Sequence, residues 1–478
     1  ANGSGGGDNY SNVNKPNGAT SILRNSGKIN LASGTNMVGI MMDTEYFNGA
    51  RSGSSNSAFV RLPRVENIGS INILSGATKS VAIDYGYFYP STDGGGPNTT
   101  VSIGEINIDG TNNYGVRLKD YSTQACAYYG RVSPKYYDFT RLEGTSGKTI
   151  TVKGTKNIGI SIAQGRSSGD PLGGYGHLGD NGATDNADLI SGLNVTVGGK
   201  NNVGFYRNPN YEGTNHNAMD LNGNRIGDFK FTADAKESTL FRSDFDEIKL
   251  TKNISLTQGS TGNSFMQAGS TVAGRAGTIT NAATLTSSLP TFYGLTAGDF
   301  ASSTGAVANN TGNLTLSGNN SIGMAIANGN TGNNSGNITL TGSSGSAIYN
   351  KGTFNLTGGT VIANGAKSSG IYSAAGTTTI SNSVTVTAKS GAAGIYASGG
   401  TVTSNSGANL KLNSEAGAGL AAYAGGGTIN LVGATINVTN SAAGVASSGS
   451  SSMVNLTNAN MTYNGNGYAV YSTNGGKV

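Results

Sequence analysis

Aromatic, arginine and carboxylate side chains crowd into a few stretches of this chain. Residues 84–100 hold Tyr85, Tyr87, Phe88 and Tyr89. Residues 120–144 hold Asp120, Tyr121, Tyr128, Tyr129, Arg131, Tyr136, Tyr137, Asp138, Arg141 and Glu143. Residues 207–247 add Tyr211, Asp228, Phe229, Phe231, Phe241 and Arg242. Such side chains combine large contact area with directional hydrogen bonds, the usual composition of a recognition surface. A single ring in a loop of this size is better explained as packing the loop onto its scaffold, so binding is assigned to the cluster as a whole.

Patterns for metal or covalent chemistry are incomplete. Gly173-Gly174-Tyr175-Gly176 opens like a glycine-rich calcium repeat, but Leu178 stands where an Asp is needed. Asp220, Asn222 and Asn224 have calcium-loop spacing, yet Arg225 replaces the turn glycine and Phe231 the closing Glu. Asp180, Asp185 and Asp188 suit turns in a Gly/Asn-rich loop as well as a shared cation. His177 and His216 lack metal-ligand spacing, and no Ser-His-Asp or Cys-His arrangement occurs. No metal, cofactor or catalysis is therefore expected. Cys126 is the single cysteine, which excludes an intrachain disulfide and suits a chain exported unfolded.

These residues need a scaffold, and the scaffold is repetitive. A small residue followed by an apolar one recurs at Met324, Ile348, Ile371, Ile395, Leu420, Val445 and Tyr468. Between these anchors lie short alternating runs, among them Leu314-Thr315-Leu316, Ile338-Thr339-Leu340, Phe354-Asn355-Leu356, Val384-Thr385-Val386 and Ile429-Asn430-Leu431. Alternation turns the apolar side chains to one side, and Gly, Ser and Asn clusters supply turns. A unit of about 24 residues cannot bury an apolar face alone, but stacked units can. The expected fold is all-β, a right-handed parallel β-helix of roughly fifteen coils, about 70 Å long. The closing Gly476-Lys477-Val478 matches Gly427-Thr428-Ile429. The natural protein is expected to continue beyond it.

The N-terminal part has the same grammar with longer interruptions. Gly27-Lys28-Ile29-Asn30-Leu31 leads to Val38-Gly39-Ile40, Gly69-Ser70-Ile71-Asn72-Ile73 to Val81-Ala82-Ile83, and Ile150-Thr151-Val152 to Ile158-Gly159-Ile160. The step between the two runs is nearly constant, whereas the return to the next coil varies widely. Inserted loops should therefore stack along one edge. Residues 301–478 contain five Lys, one Glu and no Arg or Asp, while all eight prolines and 27 of the 35 Phe and Tyr precede them. Residues 1–300 are read as a loop-decorated binding tip and residues 301–478 as a plain stalk.

The formal net charge of +5 is small for 478 residues and shows no basic run, so nucleic acid is not an expected partner. No apolar stretch is long enough to span a bilayer. Parallel β-helices also host polysaccharide lyases and hydrolases, which line carboxylates or bases along one sheet face. The outward stripe here reads Asn30, Asn72, Asn107, Thr151, Asn194, Thr315, Thr339 and Asn355, without acid or base. An enzyme of that kind and a purely structural stalk are the alternatives to adhesion.

The rung pattern Gly-x-Ile-Asn-Leu followed by Asn-x-Gly-Ile, with Ser-Gly-Ile-Tyr at 369–372 and Ala-Gly-Ile-Tyr at 393–396, resembles passenger domains of large fusobacterial type V autotransporters. The resemblance covers most of the chain. It implies a monomeric adhesin on the cell surface, anchored in the outer membrane by a C-terminal barrel that lies outside this sequence. Its partners would be surface proteins or glycans of other bacteria and of host cells. Within that family an arginine-inhibited coaggregation adhesin is preferred to a galactose-binding one. The first needs carboxylates near aromatics, for which Asp120, Asp138, Glu143 and Asp180 are candidates. The second needs an aromatic platform with polar neighbours, which Tyr128, Tyr137 and Asp138 would supply.

Overall fold

The computed structural model describes residues 22–42, 64–86, 99–119, 140–162, 190–207, 219–221, 226–270, 276–298, 304–415, 417–439 and 442–478. Every regular element among them is a strand, and strands pair in parallel with those one coil away. The chain is a parallel β-helix with three strands per coil, as in Arg64–Asn67, Ser70–Thr78 and Val81–Gly86. The third strands form one unbroken 15-stranded sheet from Val38–Met42 to Tyr468–Thr473. The other two faces are each divided. The first face has a 5-stranded sheet ending at Ile190–Ser191 and a 10-stranded sheet beginning at Met219–Leu221. The second has a 6-stranded sheet ending at Ile226–Phe231 and a 9-stranded one beginning at Ile254–Leu256.

In-register pairing stacks like on like. Ile71, Ile106, Ile150, Val195 and Phe229 form one inward column of the second face. Ile83, Val116, Ile160, Phe205 and Phe241 form another on the third. All are buried in a single continuous core. β-Branched side chains suit this stacking, because each covers its neighbours above and below on the pleated surface.

The corner between the second and third faces is held by a buried polar ladder. The backbone N–H of Ser80 donates to Asn113 Oδ1 at 2.7 Å, that of Asn113 to Asn157 Oδ1 at 2.7 Å, and that of Asn157 to Asn202 Oδ1 at 2.7 Å. The amide of Asn157 in turn donates to the carbonyls of Lys153 at 2.5 Å and Gly110 at 3.1 Å. The residue before each of these is left-handed: Lys79 at φ 51°, Asn112 at 58°, Lys156 at 56° and Asn201 at 56°. Two residues after each Asn comes a glycine with no room for a side chain, since a Cβ on Gly159 would lie 2.6 Å from the Gly204 carbonyl oxygen. The recurring Asn-x-Gly thus has a physical cause in each of its fixed positions.

Register corrects several sequence expectations. Ile395 pairs with Ala422 rather than Leu420, and Val445 with Val470 rather than Tyr468. Thr151 pairs with Thr196, not Asn194, and Thr196 with Lys230, so the row beginning at Asn30 does carry a base. Asn355 belongs to the first face, whereas Thr315 and Thr339 lie on the second. The long N-terminal interruptions each contain a further strand, Arg64–Asn67, Thr99–Ile103, Thr140–Gly144 and Ile190–Ser191. Residues 207–247, read as an insert, include the strands Met219–Leu221, Ile226–Phe231 and Thr239–Ser243 of a complete coil. Its Phe229, Phe231 and Phe241 are core residues.

One expectation holds in the connectivity. Residues 43–63, 87–98, 120–139, 163–189 and 208–218 all run from a third-face strand to the next first-face strand. The extra length therefore enters at a single corner. Lys477 bridges Met453, which pairs with Thr428, the register expected from the closing Gly476-Lys477-Val478.

Asn157→Ala should orphan the Asn113 N–H inside the corner and cost about 2–4 kcal/mol for several lost buried bonds. Hydrogen exchange at the amides of 113–118 and 157–162 should accelerate, while protection at 370–397 stays unchanged. Uniform loss of protection along the rod would contradict this local role.

Candidate recognition surface on the third face

The outward row of the third face passes through every coil. In register it reads Met41, Asp84, Arg117, Ser161, Tyr206, Arg242, Gln267, Thr296, Ala325, Tyr349, Tyr372, Tyr396, Tyr423, Ala446 and Tyr471. Parallel pairing has brought residues up to 45 positions apart into adjacent places. The row divides into a charged upper part and an aromatic lower part.

Two ion pairs define the upper part. Arg117 grips Asp84 with both arms, Nε to Oδ1 at 3.0 Å and Nη2 to Oδ2 at 2.6 Å, and its guanidinium lies 5.5 Å from the Tyr114 ring centre. Arg242 holds Asp244 in the same forked manner at 2.8 and 3.1 Å. The Tyr206 hydroxyl donates to Asp244 Oδ2 at 2.8 Å, and Arg242 Nη1 donates to Gln267 Oε1 at 3.4 Å. Asp84 and Asp244 are 2% and 0% exposed, so each carboxylate depends on its arginine for charge balance. Burial and the Asp244 carboxylate raise the Tyr206 phenol well above its ordinary range.

The lower part is a ladder of tyrosines. The Tyr349 and Tyr372 rings meet edge to face at 5.2 Å; Tyr372 and Tyr396 stack at 4.8 Å, and Tyr396 and Tyr423 at 5.3 Å. Lys351 Nζ sits 5.8 Å from the Tyr349 ring centre, and the Ser398 hydroxyl donates to the Tyr372 oxygen at 3.2 Å. A Cβ on Gly425 would come within 3.2 Å of the Tyr396 and Tyr423 rings, so these rings lie across the glycine turn that leads to the first face. Burial first, then the neighbouring phenols, raises the Tyr396 pKa.

The residues expected to bind are distributed differently. Tyr85 is in the strand Val81–Gly86, points inward and is 3% exposed in the core. Arg141 and Glu143 lie in the first-face strand Thr140–Gly144, where Glu143 pairs with Ser102 and Ser191. Tyr87, Tyr89, Asp120, Tyr128, Tyr129, Arg131, Tyr136, Tyr137, Asp138 and Asp180 lie outside the described residues, as do Asp185, Asp188, His177, His216 and Cys126. Among the described residues no group of three His, Cys, Asp or Glu is placed to hold a metal ion. Sequence reading missed the third-face row, although Ile-Tyr recurring at 348–349, 371–372 and 395–396 was a visible signal for its aromatic part.

Comparison with family models, with curated proteins and with solved structures finds no match.

Because the folded state favours neutral Tyr206, this phenol contributes stability that is complete below about pH 10 and is lost as the pH rises beyond that ordinary value. In an absorbance titration Tyr206 should be among the phenols that ionise after the exposed tyrosines, and Tyr206→Phe should lower the amplitude of that late phase by one phenol. Asp244→Asn should move the Tyr206 step back toward the ordinary range. A late phase of unchanged amplitude in Tyr206→Phe would show that the assignment is wrong.

Proposed function

We propose that the chain is part of the extracellular passenger of a bacterial surface adhesin, attaching its cell to other bacteria or to host cells. The observation that carries this reading is the entry of every long connection at one corner of the coil. Residues 87–98, 120–139 and 163–189 therefore leave and rejoin a rod about 70 Å long at that corner. A rigid rod that offers contacts along one edge suits attachment between two surfaces, where reach and repeated contact add to affinity. The resemblance of the rung pattern to fusobacterial type V passengers supports the same reading and adds a monomeric state, with a membrane barrel elsewhere in the protein.

Within this reading an arginine-inhibited site is preferred, with carboxylates from residues 120–144 and Asp180 receiving a guanidinium against aromatic rings. The strand Thr140–Gly144 belongs to the first-face sheet, so the informative deletion is residues 120–139 alone, with a short glycine linker. Binding to partner cells should be lost while β-rich circular dichroism is retained, and free L-arginine should inhibit the intact chain. Inhibition by galactosamine instead would move the reading to the galactose-binding type. Full binding after the deletion would exclude this insert as the contact.

A further inference from the structure

The half that composition marks as a plain stalk carries the most regular display of side chains in the molecule. We infer that the corner formed by the Tyr349–Tyr372–Tyr396–Tyr423 ladder and the threonines beside it binds an extended, unbranched, uncharged glycan with about one sugar per coil.

Coils rise by about 4.8 Å, more than the 3.5–4.0 Å at which carbon atoms touch, so stacked rings on successive coils make contact only by tilting, which closes the gap between their planes and slips one ring over the next. The separations of 4.8 and 5.3 Å with planes within 16° of parallel fit such a slipped stack. Slipping leaves a strip of each ring face uncovered, and all four tyrosines are partly exposed. Sugar rings bind through their C–H faces to aromatic faces of this kind, and their hydroxyls need polar partners close by.

Those partners stand across the turn. Thr353, Thr377, Thr401 and Thr428 open the first-face strands that follow the four tyrosines, and they pair in register with one another. Two residues further on, Asn355, Thr379, Thr403 and Asn430 make a second polar column. Each coil therefore presents one ring, one threonine and one amide or hydroxyl. Apart from the phenols, Lys351 is the one ionisable group in the strands and turns that carry these columns, which selects a neutral ligand.

Periodicity selects the polymer. An extended peptide repeats its side chains on one face every 6.6 Å or so, out of step with a display near 4.8 Å, and a polyproline helix turns every 9.3 Å or so, which would engage only every second coil. A pyranose unit in an extended β-linked chain advances by about one coil. The site is independent of the inserts, so the deletion of residues 120–139 leaves it intact.

The test uses the full chain and soluble neutral β-1,4-linked oligosaccharides, of glucose and of N-acetylglucosamine, in graded lengths from monomer to hexamer. The sequence has 22 tyrosines and no tryptophan, so calorimetry measures binding and the change in tyrosine fluorescence that the ladder substitutions abolish is the ladder's own. Affinity should climb with length and level off near four or five units. Tyr372→Ala and Tyr396→Ala should each weaken the hexamer about tenfold, the scale of one aromatic contact, while Tyr396→Phe keeps most of the binding. Gly425→Val, which displaces rings without removing one, should weaken it too, and circular dichroism should confirm that each variant is folded. Absence of hexamer binding, binding indifferent to these substitutions, or preference for an oligogalacturonate of equal length would each overturn the inference.

Discussion

An amide on one coil finds its acceptor on the next, and this dependence governs the whole molecule. Val81 N–H reaches the Met37 carbonyl at 2.8 Å, Tyr114 N–H the Ser80 carbonyl at 2.8 Å, and Ile158 N–H the Asn113 carbonyl at 2.9 Å. A coil removed from the stack would leave these groups without partners and its apolar columns in water. In-register parallel pairing then forces equivalent positions to stack at a fixed spacing. What a position requires therefore recurs from coil to coil: a left-handed residue at the corner, an Asn or Ser to satisfy the turn, and a small residue where backbones approach.

The same rule explains where the stack changes character. The first-face and second-face sheets both break between residues 190 and 256, while the third face runs through unbroken. Around the break the core becomes aromatic: Phe229 and Phe241 lie 4.6 Å apart and Phe265 meets Phe292 at 4.9 Å. Leu240 and Phe265 stand at the strand position that Gly115, Gly159 and Gly204 hold in preceding coils, and both are fully buried. Arg207, which follows Tyr85, Leu118 and Ile162 in its inward column and pairs with Ser243, donates to the Glu247 carbonyl at 2.7 Å. Close packing of these larger side chains keeps the core filled through the change of sheet. By contrast, pairing continues across residue 300 on all three faces, although composition changes sharply there.

Two kinds of outward chemistry share the third face because one row passes through all its coils. The upper coils hold buried carboxylates locked by forked arginines, which fix the surface. The lower coils hold slipped tyrosine rings over glycine turns, which leave part of each ring open. The corner that takes long inserts in the upper coils is the corner over which the tyrosines lie in the lower ones.

The sequence alone determined the architecture, because stacking repeats every local requirement and so writes it as a visible period. The corner that accepts inserts was legible for the same reason: the other connections among the described coils are short, one to seven residues. It did not determine which face a short run belongs to. Leu314-Thr315-Leu316 and Phe354-Asn355-Leu356 are alike in pattern, yet one is on the second face and the other on the first. Nor could it fix register where the anchor is weak: Leu420 matches the apolar consensus, but Ala422 takes the inward place because the register of Tyr396 on Tyr423 aligns that strand. The charged part of the third-face row was decided by tertiary structure alone, whereas its aromatic part left a trace in the recurring Ile-Tyr. Members of the row lie 23 to 45 residues apart, and parallel pairing between coils is what makes them neighbours.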